Sequence, residues 1–260
     1  MQKNEEPQSL KNNNKKSFRY VYKVSFTYSF FASSLSLSAQ ESAFNAGVRL
    51  GGGYSVNNHV DKILVSENYY SNYSFDNKGQ FVPSAELFFL YRQPASLWGV
   101  EAGIAYYNKT ARVRYEDKNE LNYTLSTRYH HLGLAAYFNL YPFKAKNSLH
   151  VSLGGRIGAN LSPSNLTYTG NQEDAKFSAL RYPSVKETER MLKDKLKGRP
   201  DAALGGGIGY DFPFGMTLDL RYHYSLTNSI KTETNTYNWV EHDNHNQQIE
   251  LTVGYMINIR

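Results

Sequence analysis

The chain has 260 residues, room for one large domain, and combines 22 Tyr, 14 Phe and 19 Gly with no cysteine, which excludes a disulfide framework or a cysteine-ligated metal. Its formal charge is +6, but residues 1–40 hold six of the 29 bases and only two of the 23 acids, leaving +2 for the remainder. A nucleic-acid-binding surface needs its basic excess on the working domain, so no nucleic-acid partner is expected.

Residues 1–40 read as a secretory signal peptide. Lys15, Lys16, Arg19 and Lys23 form a positive region, residues 24–37 a moderately apolar one, and Ser38, Ala39 and Gln40 a small-residue cleavage site. The working domain is then 41–260. It contains no unbroken run of the roughly 18 apolar residues that a spanning helix requires.

From Phe44 onward the dominant period is two, and it returns in eight segments, at residues 44–54, 81–91, 98–107, 131–140, 149–161, 202–212, 216–226 and 249–259. In the seventh, Met216, Leu218, Leu220, Tyr222, Tyr224 and Leu226 alternate with Thr217, Asp219, Arg221, His223 and Ser225. One face is apolar and the other ionic. Each segment is about 10 residues or more, the length a tilted strand needs to cross a bilayer.

The joints settle how the strands are connected. Residues 55–80, 116–121, 162–199 and 229–246 are polar and mostly long, whereas 92–97, 142–148 and 213–215 are short and carry Pro94, Pro142, Pro213 and Gly215. Long and short joints alternate strictly, as they do when one barrel end faces outside and the other the periplasm. Phe44, Tyr54, Phe81, Tyr91, Trp98, Tyr106, Phe138, Tyr210, Phe212, Tyr222 and Tyr224 lie on the apolar faces toward strand ends, the pattern of two interfacial girdles.

With the apolar face toward lipid, Arg49, Glu86, Glu101, His131, His150, Arg156, Asp211, Asp219, Arg221, His223 and Glu250 turn inward. Isolated charges in a narrow lumen are costly, so Arg49, Glu86, Glu101, Arg156, Asp211, Asp219, Arg221 and Glu250 are expected to form an ionic network. Eight strands enclose a space about wide enough for side chains to fill, which predicts a plugged barrel. Glycines recur on the inner face, including Gly47, Gly51, Gly53, Gly99, Gly103, Gly154, Gly158, Gly205, Gly207 and Gly209, where they leave room for long side chains opposite. None completes a phosphate-binding motif.

Other chemistry is thinly supported. His242, Asp243, Asn244 and His245 fit no strong metal signature, and no metal or cofactor is expected. His150, Ser152 and Glu250 offer the residue types of a lipid-modifying acyl hydrolase or transferase, but nothing marks Ser152 as an activated nucleophile. In the third outer loop, Ser184 and Glu187 form a capping box opening a helix that runs to Lys197 and stops at Gly198 and Pro200. Its stripe of Val185, Met191, Leu192 and Leu196 would lie over the barrel mouth or face a partner.

The segments 44–52, 153–158 and 206–211 and the closing hairpin 216–259 together resemble the PorT-like outer-membrane β-barrel family. The resemblance spans about residues 41–260 and implies an eight-stranded integral barrel, with one relative needed for protein secretion. The expectation is thus an all-β, eight-stranded antiparallel up-and-down transmembrane β-barrel in a Gram-negative outer membrane, with a short helix in its third outer loop. It would be non-enzymatic and contact outer-membrane lipid, its outer loops binding an envelope or secretion protein or a surface ligand. A lipid-modifying enzyme and a narrow small-solute pore are the alternatives.

Overall fold

A computed structural model describes residues 43–58, 73–117, 120–143, 148–232 and 244–259. The proposed signal peptide lies outside the described residues. Eight long strands form a closed ring: β1 Ala43–Asn57, β2 Gln80–Arg92, β3 Trp98–Asp117, β4 Asn122–Leu140, β5 Leu149–Asn160, β6 Asp201–Asp211, β7 Met216–Asn228 and β8 His245–Ile259. Each pairs antiparallel with its chain neighbours, and β8 closes onto β1 from Phe44↔Ile259 to Asn57↔Asn246. Closure pairs the strands round the apolar belt without leaving an edge there, the only way strands can stand in lipid. The predicted barrel is the observed architecture.

The alternation decides which face points where. Leu218, Leu220, Tyr222, Tyr224 and Leu226 are exposed, whereas Thr217, Asp219, Arg221, His223 and Ser225 between them are buried. The same inversion holds round the ring, with Val48, Leu87, Ile104, Leu134, Leu153, Ile208 and Leu251 all outward and exposed. A soluble monomer rarely exposes a contiguous apolar patch above a few hundred Å², so this belt requires lipid. At its short-turn end Phe44, Tyr91, Trp98 and Phe138 follow one another at centroid distances of 4.9, 6.4 and 6.3 Å, and Tyr210, Phe212 and Phe214 continue the girdle. The turn at Pro213–Gly215 closes because Gly215 takes φ +93, a conformation costly for other residues.

At the other end β3 and β4 run well past the apolar belt, and their alternation changes phase. Up to Tyr106 the outward side of β3 is apolar. Beyond it the inward side becomes apolar, with Ala111, Val113 and Tyr115 buried and Arg112, Arg114 and Glu116 exposed. The β2–β3 ladder stops at Ala85↔Tyr106, close to Pro83, which has no N–H to give. The Asn108 side chain donates to Pro83 O at 2.9 Å, and Thr110 donates to Ser55 twice, from Oγ1 to the carbonyl at 3.0 Å and from N to Oγ at 3.2 Å. Short strands flank this extension, Tyr73–Lys78 against β3 and Leu166–Gly170 against β4.

The third loop folds onto the inner side of the extension. Helix α1, Val185–Lys195, begins at Ser184, whose Oγ accepts from Glu187 N at 3.2 Å. It ends two residues before the expected Lys197, because Leu196–Gly198 leaves the helix to pair with Ile230–Thr232 of the fourth loop. Leu192 and Leu196 enter a core with Ala111, Val113, Leu125, Tyr129, Leu166, Tyr168 and Ile230, against which Val185 packs. Glu189 accepts from Lys193 at 2.5 Å and from Tyr168 N at 3.1 Å; these two bonds, the first foremost, hold its carboxyl below the usual range. The helix therefore packs on its own loops, and a small second core lies over the barrel mouth.

Candidate functional site

The lumen is built by the inward residues of all eight strands. Toward the short-turn end Arg49 of β1 donates from Nη1 and Nη2 to the two carboxylate oxygens of Glu101 on β3, at 2.5 and 2.7 Å. This is the bidentate geometry in which an arginine–carboxylate pair is strongest. Arg221 of β7 donates to the same carboxylate at 2.9 Å. Glu86 accepts from Arg49 and Arg221 at 3.3 and 3.4 Å, and Asp219 lies 3.0 Å from Arg49 Nε and 3.3 Å from Arg221 Nη2. His150 stands between two acids, with Nε2 3.0 Å from Asp219 and Nδ1 3.7 Å from Asp211.

A second group sits closer to the mouth. Arg156 donates to Gln248 Oε1 at 2.7 Å and to Glu250 at 3.4 Å. Lys109 lies 2.5 Å from Asp201, which also accepts from Tyr107 Oη at 2.9 Å. His131 bridges the carbonyls of Tyr129 and Arg199 at 3.1 and 3.0 Å. His223 links the two groups, with Nδ1 3.7 Å from Glu250 and Nε2 2.8 Å from Tyr137 Oη. Aromatic faces cover the guanidinium groups, as Phe88 does for Arg49 at 3.7 Å, Tyr107 for Arg156 at 3.6 Å and Tyr137 for Arg221 at 4.2 Å.

Of the eight residues singled out from the sequence, Arg49, Glu86, Glu101, Asp219 and Arg221 meet in one group. Arg156 and Glu250 meet in the other, while Asp211 touches only the edge of the first through His150. Seven are buried and Glu86 is 11% exposed at its side chain. Lys109 and Asp201 lie just beyond the alternating segments, which end at Tyr107 and begin at Ala202. Extending the inward parity by one step on each strand would have found both.

Two glycines show why the inner faces need them. A Cβ on Gly254 would stand 2.6 Å from Arg49 Cγ, and one on Gly209 would stand 2.5 Å from both Asp219 Oδ1 and His150 Nε2. Each is a close approach that only a missing side chain permits. Between the two ionic groups a space of about 20 Å³ is bounded by Glu86, Tyr137, Arg156, Arg221, His223 and Glu250. That is room for about one water, so side chains fill the space between the two groups, whereas a cavity of about 720 Å³ opens at the short-turn end beside Asn45, Leu90, Asp211 and Met256.

The residues considered for acyl chemistry do not assemble. The His150 ring nitrogens face Asp211 and Asp219, Glu250 belongs with Arg156 and His223, and Ser152 Oγ makes no hydrogen bond. Both His150 and Ser152 are buried in the lumen, away from lipid. No cluster of three metal-ligating side chains occurs among the described residues. His242 and Asp243 lie outside them, and Asn244 instead brackets the backbone of Ile230 at 2.8 and 3.1 Å.

No curated protein matches the sequence. Among solved structures, Ail, the attachment invasion locus protein of Yersinia pestis in complex with the heparin analogue sucrose octasulfate, aligns at TM-score 0.36 and 14% identity over 82% of this chain and 99% of that one. Neisserial surface protein A aligns at TM-score 0.36 and 11% identity, over 83% and 99%. The translocator domain of the autotransporter NalP from Neisseria meningitidis aligns at TM-score 0.28 and 10% identity, over 91% and 97%. A family model for the outer membrane protein beta-barrel domain matches residues 2–231, and on that match the chain belongs to the outer membrane protein beta-barrel domain family and is an integral β-barrel of the outer membrane.

Proposed function

We propose that this barrel is a non-enzymatic scaffold, exported by the signal peptide at residues 1–40, that holds a folded outer cap for a partner protein or surface ligand of the envelope. The observation that carries the reading is the cap's own hydrophobic core, which ties α1, the β3–β4 extension and the fourth loop together. Loops ordered in advance lose less entropy on binding. The buried ionic groups beneath the cap support a structural lumen over a conducting one. The separation of His150, Ser152 and Glu250 into different contacts supports a scaffold over an acyl hydrolase or transferase. The resemblance to PorT-like barrels supports an accessory role in the envelope or in secretion.

The test is photo-crosslinking in living cells from Tyr182, which is 46% exposed beside α1. A photoreactive residue there, or at exposed Lys186 or Arg190, is expected to give one discrete protein or glycan adduct that a lipid-facing position such as Leu220 does not give. No adduct from any of the three cap positions, in a barrel that is present and folded, would contradict the reading.

A further inference from the structure

The phase change on the β3–β4 hairpin has a second result, on the side that continues the lipid-facing surface. The register of the two strands runs unbroken from Trp98↔Leu140 to Glu116↔Asn122; Asn108 and Thr110 of β3 are buried against Pro83 and Ser55, and the outer face opens again at Arg128 and Arg112. The last apolar outward pair is Tyr106↔Leu132. Above it come Asn108↔His130, Thr110↔Arg128, Arg112↔Ser126 and Arg114↔Thr124. Arg112, Arg114 and Arg128 are all exposed. At about 3.3 Å per residue and a tilt near 45°, Arg128 and Arg112 lie roughly 9–14 Å above the Tyr106–Leu132 pair. Long arginine stems let the guanidinium groups reach back to the headgroup layer.

The neighbouring strands keep the same character. Lys78 is the register partner of Arg112 and is exposed as well. Thr167 and Thr169, next to Ser126 and Thr124, add exposed hydroxyl groups. Glu116 lies 3.8 Å from Arg114, which leaves Arg112 and Arg128 as the arginines of this face without an acid in their hairpin register pairs. On neighbouring strands the outward residues Tyr54, Phe81, Leu161, Tyr224 and Leu226 carry no charge.

We propose that Arg112 and Arg128 bind the phosphate groups of anionic outer-leaflet glycolipid, giving the barrel one side that holds such lipid specifically. Charge complementarity and height select this occupant. The apolar belt below fixes the acyl chains, and the arginines meet the phosphates where those chains end. Arginine suits the task through its planar set of donors.

The experiment uses the full chain folded in mild-detergent micelles with EDTA, so that direct contacts are read instead of cation bridges. Native mass spectrometry measures binding of diphosphorylated lipid A and of the same lipid after dephosphorylation. Two basic groups near a phosphate layer predict about 30-fold weaker binding of diphosphorylated lipid A to Arg112→Gln/Arg128→Gln, and a similar loss when the phosphates are removed. Ser126→Glu, which keeps both arginines but sets an acid beside Arg112, is expected to weaken binding in the same sense. Lys186→Gln/Arg190→Gln removes the same charge from α1 and is expected to change it less than about threefold. Equal binding of the two lipids by the unaltered chain, or undiminished binding by the double variant, would overturn the proposal. So would displacement of lipid A by millimolar inorganic phosphate, which would assign the site to free phosphate.

Discussion

Replacing Glu101 by Ala is expected to cost about 3–5 kcal/mol of barrel stability, more than any other single change in the lumen. Glu101 is fully buried and accepts from Arg49 twice, from Arg221 and, at 3.4 Å, from the Asn139 amide. Its removal leaves two guanidinium groups, 2% and 5% exposed at their side chains, facing each other across the space it occupied. Neither can be deprotonated or reach bulk water, and although Glu86 and Asp219 still contact both, the bidentate pair and part of the charge compensation are lost. Glu101→Asp keeps the charge with a shorter reach and should recover part of the loss. The check is the urea midpoint of the refolded barrel in lipid, followed by the gel shift between folded and boiled forms. A midpoint unchanged by Glu101→Ala would mean that water enters the lumen freely and that the network contributes little.

Leu220→Arg should destabilise the barrel by about 2–4 kcal/mol in bilayers and hinder its insertion. Leu220 is 44% exposed midway along β7, flanked on the same outer face by Leu251 of β8 and Ile208 of β6. An arginine there has the hydrocarbon midplane as its solvent. Leu226→Arg, nearer the outer rim on the same strand, should cost only about 0–1 kcal/mol because its side chain can reach the interface. The ratio of the two effects is a depth measurement. Equal and negligible costs would mean that this face meets water, and the assignment of inside and outside would be reversed.

Much of the barrel is legible in the sequence because lipid imposes one rule on every strand. Alternation over 216–226 puts Leu220 and Arg221 on opposite faces, the alternating long and short joints and the aromatic girdles say which face meets lipid, and the same parity sets most of the inner face. The rule expires where the membrane does. Above Tyr107 the hairpin meets water on its outer side and a small core on its inner side, so Val113 and Arg114 take the opposite faces from those the belt would give them. Lys109 stands at that crossing, inward like Tyr107 but followed by a differently patterned stretch, and was therefore left out with its partner Asp201. The capping box at Ser184 revealed α1, but not the pull of Ile230–Thr232 on Leu196–Gly198 that shortens it, since pairing between two loops leaves no local signal. Which acid meets which base was equally illegible. Asp211 and Asp219 share an inward face, yet only Asp219 reaches Arg49 and Arg221.

The most direct test of the central claim, that the apolar face meets lipid and the ionic face fills the lumen, is a nitroxide accessibility scan along β7. The chain has no cysteine, so single cysteines introduced at Thr217, Leu218, Leu220, Tyr222, His223 and Ser225 can each carry one label. In reconstituted bilayers, high collision rates with dissolved oxygen are expected at positions 218, 220 and 222 and low rates at 217, 223 and 225, a period of two in phase with the apolar side chains. The opposite phase, or a flat profile with high access to a water-soluble nickel reagent at 217, 223 and 225, would contradict the account.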